Sequence, residues 1–256
     1  MQSQARAAVD TNSAYYNSLP LGLEDYWNKM AAPRFRTETL CRLVLDSKAT
    51  TLVELGCGNG RLLMELGERG FQGKRVGVDL SDKRIALNKE LAPHIEWHAA
   101  NLDVPANFSP EQRHSFEAVV AAELIEHVDD PAMLLRNAAA LAIPGTGQLF
   151  LSTQSGRIGP TEKLVGHQRH FTTQEIKALL EATGWDSVSV WNAGFPFHDL
   201  SKWIAGLRPG STVDRFSTRA YGPLEKLVCW VLRFLFLFNS QSRGAQLFAI
   251  ARAKPR

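Results

Sequence analysis

Short apolar runs alternate with amphipathic stretches along most of the chain. Thr51–Leu55, Arg75–Asp79, Ile95–His98, Phe116–Ala122, Gly147–Ser152, Trp185–Val190 and Gln246–Arg252 read as strands. Their apolar residues are near-continuous rather than alternating, as a sheet covered on both faces requires. Between them, Arg61–Arg69, Asp82–Leu91, Asp130–Leu141 and Thr172–Ala182 carry helical spacing. Ser81 and Thr172 stand as N-caps, Pro131 sits early in its helix, and Gly70 and Gly184 stand as stops. The alternation predicts an α/β fold: a Rossmann-like, doubly wound, mainly parallel sheet with helices on both faces.

Two regions depart from this rhythm. Residues 1–50 read as a helical segment, with Tyr15, Tyr16, Tyr26, Trp27 and Phe35 clustered ahead of the helically spaced Thr39–Leu45. Residues 195–243 hold no strand pattern and read as a helical insertion before the last strand. The main domain is then 51–194 together with 244–256.

With 45% hydrophobic and 21% charged residues, the 256-residue chain has ordinary globular composition and is long enough to bury a large core. Cys41, Cys57 and Cys229 are too widely spaced for a metal or redox pair, which points to a reduced, cytoplasmic setting. Met1–Ser13 lacks the apolar core of a secretory signal, and no apolar run reaches the ~18 residues of a spanning helix. A net charge of +3 argues against a nucleic-acid binder.

The distribution of that charge is more informative. The insertion carries seven cations against three acids, so the rest of the chain is close to neutral. Inside it, Leu224–Phe238 is apolar on most sides. As a helix it is about 22 Å long, short of a ~30 Å hydrocarbon core. Such a helix needs cover. The protein's own core, a lid over the acceptor, a homodimer contact through 223–238 and a membrane surface all supply one.

Glu54-Leu55-Gly56-Cys57-Gly58-Asn59-Gly60 follows a strand and opens a helix, and Asp79 ends the next strand. Glycines permit a tight turn and close approach of backbone to ligand, and a carboxylate at the second strand end can accept both hydroxyls of a ribose. The dinucleotide spacing G-x-G-x-x-G fails because Arg61 occupies its sixth position. Glu54 beside the loop suits a cationic ligand and opposes a pyrophosphate.

These residues, with Val78-Asp79 and Glu123-Leu124-Ile125-Glu126-His127-Val128, resemble the motifs of class I S-adenosylmethionine-dependent methyltransferases, within them the group containing the ubiquinone-biosynthesis O-methyltransferases. The resemblance covers roughly residues 30–190 and the last strand. It implies S-adenosyl-L-methionine as cofactor, with Glu54, Gly56, Cys57, Gly58 and Gly60 beneath its methionine part and Asp79 and Leu80 at the ribose. Asn101 and Leu102 then flank the adenine, with Asp103 competing with Asn101, and Ala122 lies against the cofactor. An Arg ahead of the loop closes over the carboxylate, either Arg36 or Arg34, and residues 1–50 cap the site.

Methyl transfer to a hydroxyl is helped by a base titrating near neutrality, which makes His the natural choice. His127, His167 and His170 are the candidates. If 123–127 form one helical turn, Glu123, Glu126 and His127 share a face and can serve as a base site or hold a divalent metal such as Mg. The resemblance implies a small or lipid-like acceptor and a protein that is cytoplasmic or peripheral at the inner membrane face. A metal-dependent RNA 2′-O-methyltransferase and a non-catalytic cofactor-binding subunit are the alternative readings.

Overall fold

The computed structural model describes residues 24–217 and 219–256. Tyr15 and Tyr16 of the expected aromatic cluster lie outside these residues. Two helices, α1 (Glu24–Lys29) and α2 (Ala31–Asp46), precede the sheet. The strands are β1 (Thr51–Leu55), β2 (Lys74–Asp79), β3 (Glu96–Ala99), β4 (Ala118–Ala122), β5 (Gln148–Gln154), β6 (Trp185–Ala193) and β7 (Gln246–Ala253). They form one sheet in the order β3-β2-β1-β4-β5-β7-β6, with β7 antiparallel to both of its neighbours. This is the expected doubly wound α/β architecture.

The helices fall between the strands as their caps require. α3 (Arg61–Glu68) follows β1, α4 (Asp82–Leu91) follows β2 and α5 (Pro131–Leu141) follows β4. The Ser81 hydroxyl accepts from Arg84 N at the start of α4, and Asp130 accepts from Met133 N at 2.9 Å at the start of α5. After β5 come α6 (Pro160–Leu164) and α7 (Thr173–Ala182), the latter opened by a reciprocal box between Thr172 and Glu175. Between β6 and β7 lie α8 (Phe197–Leu207), α9 (Pro209–Ser217) and α10 (Pro223–Phe236).

Both sheet faces are covered, which explains the continuous apolar strands. Val53, Leu55, Val119 and Leu149 face one core with Leu134, Leu135 and Trp185. Leu52, Val120 and Phe150 face another with Leu40, Leu63 and Phe248. Arg34 of α2 and Arg61 and Arg69 of α3's turn and end all bond the buried Glu65 carboxylate, at 2.6–2.7 Å, and so clamp α2 onto α3.

The strand order reverses between β1 and β4. Leu55 pairs with Val78 on one side and Ala121 on the other. The carboxyl ends of β1, β2 and β4 therefore finish at one edge, where doubly wound sheets place their ligands.

Candidate functional site

The loop after β1 is built by its glycines. Gly56 and Gly60 have φ of 68° and 70°. A Cβ on Gly56 would lie 2.7 Å from the Leu124 side chain, and one on Gly60 would strike the Trp97 ring. Cys57 N donates to Val78 O at 3.0 Å, and Asn88 Nδ2 donates to Gly58 O at 2.9 Å. Asp79 completes the turn: its Oδ2 accepts from Gly58 N at 2.8 Å and its Oδ1 from Ser81 N at 2.9 Å. Each oxygen keeps lone-pair capacity for a ligand.

A cavity of 450 Å³ opens along this loop. Gly56, Cys57, Gly58, Glu54, Asp79, Leu80, Asn101, Leu102, Ala122 and Arg36 all line it. Gly60 does not; it serves as the left-handed cap of α3 packed against Trp97. Tyr26, Met30 and Pro33 of the first two helices form part of the wall.

The competing residues at two positions along the cavity have different partners. Arg34 is engaged with Glu38 and Glu65, whereas Arg36 lines the cavity 3.6 Å from Glu123. Asp103 Oδ1 accepts from the backbone N–H groups of Asp129 and Asp130, at 2.8 and 3.1 Å, so it braces the loop before α5. Asn101 and Asp103 both border the cavity, with Asn101 Oδ1 accepting from Asp103 N.

The electrostatics are set by burial. Glu54 is 4% exposed, and its Oε2 has no hydrogen-bond partner among the described residues. Burial, reinforced by the Asp79 carboxylate, pushes its acid well above the ordinary carboxyl range. Burial likewise pushes the Cys57 thiol up, so it is an inert wall residue.

The segment after β4 departs from expectation. Residues 123–127 form an irregular turn rather than a helical one, and Glu123 takes a left-handed φ of 49°. Glu123 and Glu126 therefore do not share a helix face. Glu123 is consumed elsewhere: it faces Arg36 and accepts from Ser152 Oγ, Gln154 Nε2 and Gln246 Nε2 at 2.8–2.9 Å. Burial opposes its charge, but Arg36 and these donors hold its acid below the ordinary range. Glu126 is fully buried, accepts from Thr153 Oγ1 at 2.7 Å, and has no hydrogen-bond partner for Oε1 among the described residues. Burial and the neighbouring Glu123 charge push its acid up.

His127 and His167 line the cavity, ring centroids 4.7 Å apart, while His170 stands outside the wall with Nε2 3.0 Å from His167 Nδ1. His127 Nδ1 lies 3.2 Å from Gly166 O, the placement of an N–H donor. Burial lowers the pKa of all three imidazoles, which are neutral at pH 7.

Glu126, His127 and His167 bring one ligand atom each within 4.8 Å of one another. It is this set, and not the expected Glu123, Glu126 and His127, whose ligand atoms come together.

Sequence reasoning missed three lining residues. His198 is 1% exposed, with Nδ1 3.3 Å from Asp199 Oδ1 and no hydrogen-bond partner for Nε2 among the described residues. Lys202 Nζ bonds Gln154 Oε1 at 2.6 Å and Glu162 at 3.0 Å, tying α8 to the network around Glu123. Gln154 is the link. His198 and Lys202 stand in the stretch read as an insertion, where no local motif marks them.

A family model described as a methyltransferase domain matches residues 26–190. The chain belongs to this methyltransferase family, and its sheet is the class I methyltransferase fold. Among curated relatives, the ubiquinone biosynthesis O-methyltransferase of Stutzerimonas stutzeri is 33% identical over 106 residues, covering 40% of this chain and 43% of that protein. The protein of the same name from Coxiella burnetii is 35% identical over 141 residues, covering 51% and 57%. The chain thus spans about half the length of the curated relatives it matches. Among solved structures, phosphoethanolamine N-methyltransferase 2 of Haemonchus contortus in complex with S-adenosyl-L-methionine superposes with a TM-score of 0.55 at 16% identity, covering 93% of this chain and 61% of that one.

Proposed function

We propose that the protein is an S-adenosylmethionine-dependent methyltransferase acting on an oxygen of a small, lipid-like acceptor. The observation that carries this is a single cavity whose one end is Gly56–Gly58 with Asp79 and whose other end is His127, His167 and Lys202. Two features fit a cationic nucleoside there: the space beyond Gly58 is open to 4 Å, and Glu54 presents a buried, unpartnered carboxyl oxygen. When bound, the cofactor supplies an activated methyl group on sulfur.

The chain's own residues bind, orient and remove a proton. Asp79 receives the ribose hydroxyls, Leu80, Asn101 and Leu102 flank the base, and Glu54 faces the cationic end. Arg36, already held by Glu123, is placed to meet the cofactor carboxylate. His127 lines the cavity, and it would take the acceptor hydroxyl proton when the bound cofactor supplies its methyl group. His167 and His170 stand behind it. With both reactants bound, the pocket would contribute mainly by positioning them for the transfer.

A second reading follows from the Glu126, His127 and His167 cluster. These residues would hold a divalent ion, which would polarise the acceptor oxygen.

The test is transfer of labelled methyl from the cofactor to hydroxylated, amine and thiol acceptors, with an RNA duplex as a further arm. Label on the hydroxylated acceptor supports the reading. Label on amine or thiol alone moves it to another heteroatom, and label on RNA moves it to a nucleic-acid enzyme. Folded protein that binds the cofactor and labels none is a binding subunit.

A further inference from the structure

The sequence left four covers open for the apolar helix near the C-terminus, and the structure removes one of them. α10 buries only Cys229 and Phe236. Trp230 and Phe234 are 66% and 53% exposed, and Leu237 just beyond the helix is 77% exposed. The protein's own described core therefore does not cover it.

The neighbouring helix repeats the pattern. Lys202 and Ala205 of α8 face the cavity, and Thr212 and Phe216 of α9 also line it. Trp203, Ile204 and Leu207 of α8, at one-face helical spacing, are 64%, 53% and 60% exposed. The adjacent helices α8 and α10 thus both present large apolar side chains outward, and the other face of α8 forms part of the cavity wall. Scattered exposed apolar residues are ordinary, but a concentration of this kind marks a docking surface.

Charge identifies the partner. Arg208 follows Leu207 and Lys226 precedes Leu227; these two and Arg243 are exposed and make no ion pair among the described residues. Arg233, on α10 itself, is half exposed and 3.8 Å from Glu38. A twofold contact between copies would place this cationic patch against itself. An anionic lipid surface complements it, with aromatic rings at headgroup depth and long cationic side chains reaching the phosphates. None of the described helices is long and apolar enough to cross a membrane, so the mode is one of lying on the surface.

We propose that the outer faces of α8 and α10, with Arg208, Lys226, Arg233 and Arg243, dock the protein on an anionic lipid bilayer. The α8 part of the cavity wall then lies next to the bilayer. The docking does not depend on the methyl-transfer chemistry.

The experiment is cosedimentation of the full chain with phosphatidylcholine vesicles and with phosphatidylcholine vesicles containing phosphatidylglycerol. The protein should sediment with the second and not the first, with a blue shift of tryptophan emission. Arg208→Gln and Lys226→Gln should each weaken binding by about fivefold. Trp230→Ser combined with Phe234→Ser should abolish it while leaving the melting temperature and circular dichroism unchanged, which separates loss of docking from misfolding. Equal sedimentation with both vesicles overturns the charge-guided docking. A dimer that Trp230→Ser dissociates, with no vesicle binding, overturns the proposal and assigns the face to a second copy. A monomer that ignores both vesicles overturns it as well.

Discussion

Arg36 and Glu123 face each other at 3.6 Å, with side chains only 13% and 17% exposed. The pair joins α2 to the turn after β4, and both residues line the cavity. Removing one partner leaves the other charge buried without compensation. Glu123→Gln should therefore destabilise the protein by about 3 kcal/mol, seen as a lowered midpoint in chemical denaturation. A midpoint equal to wild type would mean that Gln154 and Gln246 alone hold the turn.

Glu54 gives a pH dependence of stability. Its folded-state acid is raised by burial and by Asp79. The proton it binds stabilises the fold fully below the unfolded carboxyl pKa of about 4.3, and that contribution is lost as pH rises through the raised folded value. Glu54→Gln should thus gain stability on wild type as pH rises. Parallel melting temperatures for the two proteins from acid to pH 9 would show that Glu54 ionises normally.

The proposed role of His127 is to take the acceptor proton. His127→Ala should lower kcat by about 10²- to 10⁴-fold while leaving cofactor affinity unchanged. Weakened cofactor binding with unchanged kcat would move His127 out of the chemistry.

Chelation separates the two readings of the His cluster. A rate untouched by EDTA belongs to the imidazole acting alone. A rate lost in EDTA, restored by Mg²⁺ and insensitive to EDTA in Glu126→Gln, belongs to an ion on Glu126, His127 and His167.

The sheet was legible because its strands are buried on both faces and so read as unbroken apolar runs. Val53, Val76, Val119 and Leu149 all face core. The loop was legible because left-handed backbone at Gly56, Gly58 and Gly60 demands glycine. The turn at Glu123 was not: a glutamate at positive φ breaks the helical spacing that its sequence suggests. His198 and Lys202 were hidden because tertiary contact, not a local motif, folds α8 back over β5. The exposure of α10 was hidden for the opposite reason, since apolar residues that face outward read the same in sequence as apolar residues that face a core.

Asp79 carries the central claim. It braces Gly58 and Ser81 while keeping acceptor capacity towards the cavity, and Asp79→Asn keeps one oxygen for the loop. Calorimetric titration of the folded chain with S-adenosylmethionine should show one site per chain, weakened about thirtyfold in Asp79→Asn, as loss of a charged hydrogen-bond acceptor worth about 2 kcal/mol requires. Absence of binding to the folded wild-type chain, or equal affinity in the variant, would contradict the account.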